Sequence, residues 1–277
     1  MGSVGLHVRM PDTLATVADR ALYHDLSFFQ CFFLRQCTRR FFRPTNKEVA
    51  HFRRVYRSQF ERLYVHGSYC SNLASTRRAR HTLLERELYC AQRLGFTHIV
   101  LHPGSAKGAE SRSASIDALA RQINEVLYRE RDVRIVLENV AFGKNAIGGD
   151  LYDFNRVLEK LDQPDRLGFC IDTAHAHAYG YPLQTKEQQN DFITLLGDTV
   201  GIDRIVLLHL NDTHEVCGSR IDKHGMVGQG EIGASALKRF ITDVRLAHVP
   251  IILELPIVSL TQERVALQAV RSWRGEV

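Results

Sequence analysis

Short apolar segments recur along the chain at a regular interval. There are eight: Val4–His7, Phe28–Phe33, Leu63–His66, Ile99–His102, Ile135–Glu138, Phe169–Asp172, Val206–His209 and Ile251–Glu254. From the third segment onwards their starts are about 36 residues apart, until a longer last gap. Short runs that are apolar throughout are typical of parallel strands buried on both faces. The pattern therefore predicts eight buried parallel strands.

The segments between these strands have the periodicity of helices. Glu85–Leu94 and Ile116–Tyr128 carry apolar residues at intervals of three and four, as helices that cover a sheet do. A βα unit of a closed eightfold barrel needs roughly 30 residues, which this spacing provides. We therefore predict an α/β fold, a (β/α)8 TIM barrel that forms a single domain over residues 1–277. The alternative is an open doubly wound sheet, but no GxGxxG follows the first strand.

Composition narrows the class of protein. The 277 residues are 44% hydrophobic and 24% charged, which excludes a disordered or collagen-like chain. No run of about 18 apolar residues is present, and the opening MGSVGLHVRMPD lacks the apolar core of a signal peptide. The six cysteines form no CxxC pair, so reduced thiols are expected. We expect a cytoplasmic (nucleoid-associated) or nuclear protein that is not secreted and contacts no membrane.

Candidate metal ligands stand at the ends of six predicted strands. They are His66, His102, Glu138, Asp172, His209 and Glu254. The carboxyl ends of the strands of a parallel barrel meet at one face, so these side chains would converge. Several buried carboxylates are costly together unless cations compensate their charge. Histidine with carboxylate is a ligand set that suits zinc or manganese.

Three further residues extend this set. His175 lies one helical turn beyond its strand, and Asp222 and His224 lie in the glycine-rich segment after the seventh strand. Residues two apart in extended backbone point the same way, so Asp222 and His224 could share a metal with His175. His177 and His214 are near enough in sequence to act as substitutes.

Several segments that carry these residues resemble the signature blocks of one enzyme family, the endonuclease IV family of apurinic/apyrimidinic endonucleases. In order they are HGSYCSNLA (66–74), HPGS (102–105), LENVAFGKN (137–145), GFCIDTAHAHAYGY (168–181), HLNDTHEVCGSRIDKHGMVGQGEIG (209–233) and LELP (253–256). The chain departs from the family pattern at Leu255, where threonine is usual, and at VAFGKN, where the family has a TAGQG-like run.

The resemblance implies a zinc-dependent endonuclease of base-excision repair. Such an enzyme cuts the phosphodiester 5′ to an abasic site in double-stranded DNA, leaving a 3′-hydroxyl and a 5′-deoxyribose phosphate, with an accompanying 3′-end-cleaning activity. It implies about three Zn²⁺ per chain, with Mn²⁺ as an alternative at one site. The expected ligand sets are His66, His102 and Glu138; Glu138, Asp172, His209 and Glu254; and His175, Asp222 and His224. Glu138, shared by two sets, is the expected catalytic residue.

The resemblance and the basic residues after the strands together predict a DNA-binding rim. Tyr69 matches the family position that fills the gap left by the extruded abasic nucleotide. Arg39 or Arg40, after the second strand, is expected to assist it, and Arg220 lies in the seventh loop. Such a surface neutralises phosphates. One chain supplies every expected ligand, so a monomer suffices.

Two other functions fit parts of the pattern. A sugar isomerase or epimerase similar to xylose isomerase also gathers histidines and carboxylates around divalent metal at barrel strand ends. It would not need the Asp222-x-His224 pair or an arginine-rich rim. A protein that recognises damaged DNA without cutting it is the third hypothesis, but binding alone does not need an open metal centre.

Overall fold

Eight parallel strands close into a barrel. The computed structural model describes residues 4–10, 13–35, 40–68, 72–76 and 82–276. Its strands are β1 (Val4–His7), β2 (Phe28–Phe32), β3 (Leu34–Arg35), β4 (Arg40–Phe41), β5 (Arg62–His66), β6 (His98–Leu101), β7 (Arg134–Glu138), β8 (Leu167–Asp172), β9 (Ile205–His209) and β10 (Ile251–Leu253).

The order around the barrel is β1-β2-β5-β6-β7-β8-β9-β10, and β10 pairs with β1 to close it. The predicted TIM barrel is thus confirmed, and each predicted strand agrees with a barrel strand to within two residues. The pattern did not predict β3 and β4, which form a separate antiparallel pair. With two residues each, they are too short to show periodicity.

Helices connect the strands. They are α1 (Leu14–Tyr23), α2 (Asn46–Val55), α3 (Thr82–Leu94), α4 (Arg112–Arg129), α5 (Tyr152–Leu158), α6 (Thr173–Tyr179), α7 (Lys186–Thr199), α8 (Ala234–Thr242) and α9 (Leu260–Trp273). The helices predicted around Glu85–Leu94 and Ile116–Tyr128 lie inside α3 and α4. Capping boxes at Thr45, Thr185 and Ser259 fix the starts of α2, α7 and α9. No helix in these described ranges has the length and apolarity needed to span a bilayer.

The inside of the barrel contains one apolar layer, which we call the interior layer. Its members, one from each of seven strands, are Phe28, Tyr64, Val100, Val136, Cys170, Leu207 and Ile252. The remaining barrel strand, β1, has Gly5 at this level. A Cβ atom at Gly5 would lie 2.6 Å from the ring of Phe28, so glycine makes room for that ring. Successive strand residues alternate between faces, so residues two positions before or after the interior layer also point inwards. The two mouths of the barrel are therefore lined by side chains set by this alternation.

Candidate metal centre

The carboxyl-terminal mouth of the barrel gathers the predicted ligands. Six of them lie two residues beyond a member of the interior layer, so alternation turns them toward the barrel axis: His66, His102, Glu138, Asp172, His209 and Glu254. Four end their strands, and His102 and Glu254 follow β6 and β10 by one residue. The structure therefore brings together the six side chains that stand at the ends of the predicted strands.

Glu138 lies at the middle of the cluster. Its Oε2 is 2.9 Å from His66 Nε2 and 3.1 Å from His102 Nε2, and its Oε1 is 2.7 Å from His209 Nδ1. Burial would raise the pKa of Glu138, but the neighbouring His209 and His102 hold that pKa well below its ordinary range. The two carboxylate oxygens of Glu138 therefore face different histidines: Oε2 faces His66 and His102, and Oε1 faces His209.

A second group contains Glu138, Asp172, His209 and Glu254. One candidate ligand atom from each lies within 4.8 Å of the others. His209 Nδ1 is 3.4 Å from Glu254 Oε2 and 3.9 Å from Asp172 Oδ2. Glu138 belongs to this group and to the group with His66 and His102, as the resemblance implied for a shared carboxylate.

A third group forms around His175 and His224. Asp172 caps α6 by accepting a 2.8 Å hydrogen bond from the backbone N–H of His175, which brings that histidine back over the mouth. Asp222 Oδ1 lies 3.1 Å from His175 Nε2 and 3.5 Å from His224 Nε2. Asp172 also has an oxygen within 4.8 Å of ligand atoms of both histidines, a proximity that was not predicted.

His7 and Gln30 complete the mouth and were missed by the sequence reasoning. His7 Nδ1 lies 3.0 Å from Glu254 Oε1, and Gln30 Nε2 donates to the same oxygen at 2.8 Å. Gln30 Oε1 lies 3.1 Å from His209 Nε2. A signal was available for His7, because it ends the first apolar segment as His66 ends the third. The sequence gives no such signal for Gln30, since a side-chain amide suggests no particular chemistry.

Two asparagines orient the carboxylates. Asn211 donates to carboxylate oxygens of Asp172 and Glu254, and its Oδ1 accepts from the backbone N–H of Glu254 at 2.9 Å. Asn139 Oδ1 accepts from the backbone N–H of Asp172 at 2.7 Å, and its carbonyl lies 2.9 Å from His175 Nδ1. Such contacts fix the direction of a ligand's lone pairs and tune metal affinity.

Three other candidate ligands are less suited to the metal centre. His177 is fully buried within α6 and His214 is exposed, and neither belongs to the groups that the described residues form. Cys170 lies near Glu138 and His209, but burial raises the pKa of its thiol to about 12. A thiol binds metal as the thiolate, so Cys170 is a poor ligand here.

The electrostatics of the cluster call for cations. In the described part of the chain, the ion pairs of Glu138, Asp172, Asp222 and Glu254 all have histidine partners. Burial lowers the pKa of His175, but Asp172, Asp222 and Glu138 raise it to about 10. Four carboxylates, two of them fully buried, with histidine nitrogens between them form a donor set that zinc takes in proteins. The residues present therefore fit divalent metal.

Comparison with known proteins shows the family to which the chain belongs. A family model described as a xylose isomerase-like TIM barrel matches residues 21–275. The probable endonuclease 4 of Nitrosopumilus maritimus is 30% identical over 92% of this chain and 93% of its own length. The chain belongs to the endonuclease IV family. The crystal structure of endonuclease IV from Thermus thermophilus superposes with a TM-score of 0.82, at 26% identity over 99% of both chains.

Other relatives match over a smaller share of their length. The probable endonuclease 4 of Halorhodospira halophila is 40% identical over 69% of this chain, and the chain spans 66% of that protein. The apurinic-apyrimidinic endonuclease of Caenorhabditis elegans is 31% identical over 77% of this chain, which spans 56% of it. A D-tagatose 3-epimerase-like protein has a TM-score of 0.69 at 17% identity and shares the fold alone.

The residues expected to contact DNA are described only in part. Tyr69 and Arg39 lie outside the described residues. Arg40 is exposed at the start of β4, beside the barrel. Arg220 adopts a left-handed backbone conformation with φ of 63°, and its guanidinium lies 3.7 Å from the ring centroid of Tyr179. Arg112, the first residue of α4, pairs with the buried Asp153 and so braces the scaffold.

Proposed function

We propose that this protein is a metal-dependent apurinic/apyrimidinic endonuclease of base-excision repair. It hydrolyses the phosphodiester 5′ to an abasic site in double-stranded DNA and leaves a 3′-hydroxyl and a 5′-deoxyribose phosphate. The observation that carries this proposal is the set of three overlapping histidine and carboxylate groups at one barrel mouth. Membership of the endonuclease IV family and the C. elegans relative named as an apurinic-apyrimidinic endonuclease support it.

Three Zn²⁺ ions would be held by nine residues, with Mn²⁺ as the alternative at one site. The three ligand sets are His66, His102 and Glu138; Glu138, Asp172, His209 and Glu254; and His175, Asp222 and His224. When bound, such ions neutralise charge on the phosphate oxygens and make water a nucleophile at neutral pH. The distances between the side chains in each set support this assignment.

The chain's own residues contribute orientation and charge. Glu138 has both oxygens directed at histidines and no exposure to bulk water, so it is fixed in one rotamer at the centre of the site. Gln30 and Asn211 hold Glu254 and His209 in place. A cavity of about 280 Å³ opens beside Asp222, His224 and Glu254, where a phosphate and its sugar would enter. A rigid arrangement of this kind lowers the cost of reaching the transition state.

DNA would lie across the same mouth. In the proposal, Tyr69 fills the gap left by the extruded abasic nucleotide, and Arg39, Arg40 and Arg220 contact phosphates. The formal net charge of +5 favours attraction to a polyanion. A single chain carries the whole ligand set, so the enzyme acts as a monomer on nuclear or nucleoid DNA. The 3′-end-cleaning activity would use the same ligands.

The test is incision of an end-labelled duplex that carries one stable abasic analogue, without added magnesium. We expect a cut immediately 5′ to the lesion and no cut in the undamaged duplex. Chelation should abolish incision, and zinc or manganese should restore it. Absence of incision from protein shown to contain about three metal ions per chain would overturn the proposal and direct attention to sugar substrates.

A further inference from the structure

The amino-terminal mouth of the barrel, opposite the metal centre, carries a second set of polar side chains. Arg62, His98 and Arg134 each lie two residues before a member of the interior layer, so they also point toward the barrel axis. Strand register places His98 between Tyr64 and Arg134. The ring of His98 stacks on that of Tyr64, with centroids 4.6 Å apart. We call Arg62, His98 and Arg134 the basic mouth.

The basic mouth lacks a compensating negative charge. Within the described ranges, neither arginine forms an ion pair with a carboxylate. Burial lowers the pKa of His98, and the charges of Arg134 and Arg62 lower it further, to about 4. The Nε atom of Arg134 is buried without a hydrogen-bond partner among those residues. An unpaired guanidinium N–H group in such a place is costly, so Arg134 has a donor to offer a bound acceptor.

Gly168 on β8 leaves the space that the side chain of Arg134 occupies. A Cβ atom at Gly168 would lie 3.3 Å from Arg134 Nε and 2.6 Å from Cγ2 of Val206. The side chain of Arg134 therefore passes over the glycine, in space that any larger residue would take. This holds a guanidinium group close to the barrel axis while Arg62 approaches from β5, near enough to act on the same His98.

We propose that the basic mouth binds a phosphate group through the guanidinium groups of Arg62 and Arg134. The fork of N–H donors on a guanidinium matches the oxygens of a phosphate and supplies charge-assisted hydrogen bonds. Inorganic phosphate and the phosphate of a nucleotide share this chemistry. The interior layer separates this site from the metal centre, so the proposal does not depend on the proposed nuclease function.

Calorimetric titration of the metal-loaded protein with inorganic phosphate tests the proposal. Metal ions also attract phosphate, so variants are needed to assign the binding event. We expect wild-type protein to show an event whose Kd rises at least tenfold in Arg134→Gln and in Arg62→Gln. The exposed Arg54 of α2 provides the control, because Arg54→Gln removes the same charge elsewhere and should leave that Kd unchanged. The ring NMR signals of His98 should shift with phosphate in wild type and stay fixed in Arg134→Gln.

The proposal would be overturned by an equal Kd for phosphate in wild type and both variants, or by His98 signals that do not shift when phosphate is added. If Arg134→Gln does not fold, Arg62→Gln and the wild-type His98 signals decide. The same titration with a nucleoside 5′-monophosphate separates the two sources: tighter binding identifies a nucleotide, and equal or weaker binding identifies free phosphate. Incision of abasic DNA by Arg134→Gln should stay within twofold of wild type, which keeps this result distinct from the proposed function.

Discussion

The two mouths of the barrel carry different polar groups on the same strands. On β5, β6 and β7, the residues at the amino-terminal mouth are Arg62, His98 and Arg134, and those four positions later are His66, His102 and Glu138. Four strand residues span roughly 13 Å, and the interior layer fills the space between the two sets. One mouth thus concentrates carboxylates that call for cations, and the other concentrates guanidinium groups that call for an anion.

This difference shows how strand alternation distributes chemistry in a parallel barrel. Every second residue faces the barrel axis, so the side chain of a charged residue two positions from the interior layer points into one of the two mouths. Which mouth it reaches depends only on whether it precedes or follows that layer. Active sites of this fold lie at the carboxyl-terminal face, which agrees with the position of the candidate metal centre.

The strongest test of the comparison removes the shared carboxylate. Glu138→Gln keeps the size of the side chain but halves its ligand capacity and removes its negative charge. We expect abasic-site incision to fall by at least 10³-fold, since Glu138 serves two metal groups. Single-turnover incision and metal content by atomic emission measure this directly.

The matched control for that variant is Glu125→Gln, because Glu125 is exposed on α4, outside the mouth. It should leave both incision and metal content unchanged. Retained turnover by Glu138→Gln with a full complement of metal would show that the central carboxylate is dispensable, and the catalytic assignment would fail.

The next largest effect is expected from metal removal, which should lower the stability of the folded protein. A ligand present at about a thousand times its Kd stabilises the folded state by about 4 kcal/mol. In a chain of this size that corresponds to a fall in Tm of roughly 10 °C after chelation. Differential scanning calorimetry with and without chelator measures the fall, and Glu138→Gln should show a smaller one. An unchanged Tm in wild type would mean that the buried carboxylates are balanced without metal.

Much of the fold and of the candidate site could be predicted because the strands have a strong sequence pattern. An apolar run that ends in a histidine or a carboxylate predicts both a strand and the direction in which its last side chain points, as at Ile135–Glu138. His175 and the Asp222-x-His224 pair were predicted from weaker signals, namely a position one helical turn beyond a strand and a two-residue spacing, and the family resemblance added to them. The left-handed backbone at Arg220 follows from no local pattern, since arginine has no preference for that conformation.

The contacts around the site and the opposite mouth could not be predicted. Gln30 acts through a hydrogen bond that exists only once β2 and β9 close into one barrel. Arginines that begin strands, such as Arg62 and Arg134, look in sequence like an ordinary solvated rim. Only the placement of Tyr64 and Val136 in the interior layer shows that these arginines face inwards.

A smaller effect, on pH dependence, tests the basic mouth. The pKa of His98 is lowered to about 4 by burial and by the two arginines, so the folded state binds this proton less readily than the unfolded state does. Stability should therefore be lost as pH falls from about 6.5 toward 4, by about 2 kcal/mol at pH 5. His98→Phe keeps a ring against Tyr64 and removes the titration, so its stability should fall less over this range.

Urea unfolding of wild type and His98→Phe at pH 7 and pH 5 measures the difference. Loss of metal at low pH affects both proteins alike and cancels in the comparison. Phosphate at saturating concentration should narrow the gap, because an anion between the arginines favours a protonated histidine. Parallel stability curves for the two proteins would show that folding does not lower the pKa of His98.

The smallest effect is expected at Arg220, on the rim of the metal mouth. Its guanidinium stacks on Tyr179 and forms no ion pair with a carboxylate of the described residues, so it has donors to offer a phosphate. Arg220→Gln should weaken binding of abasic duplex about threefold to tenfold and reduce the slope of log K against log salt by about one. Fluorescence anisotropy at several salt concentrations gives both numbers. If binding weakens while the slope stays constant and metal content falls, Arg220 instead positions the loop of Asp222 and His224.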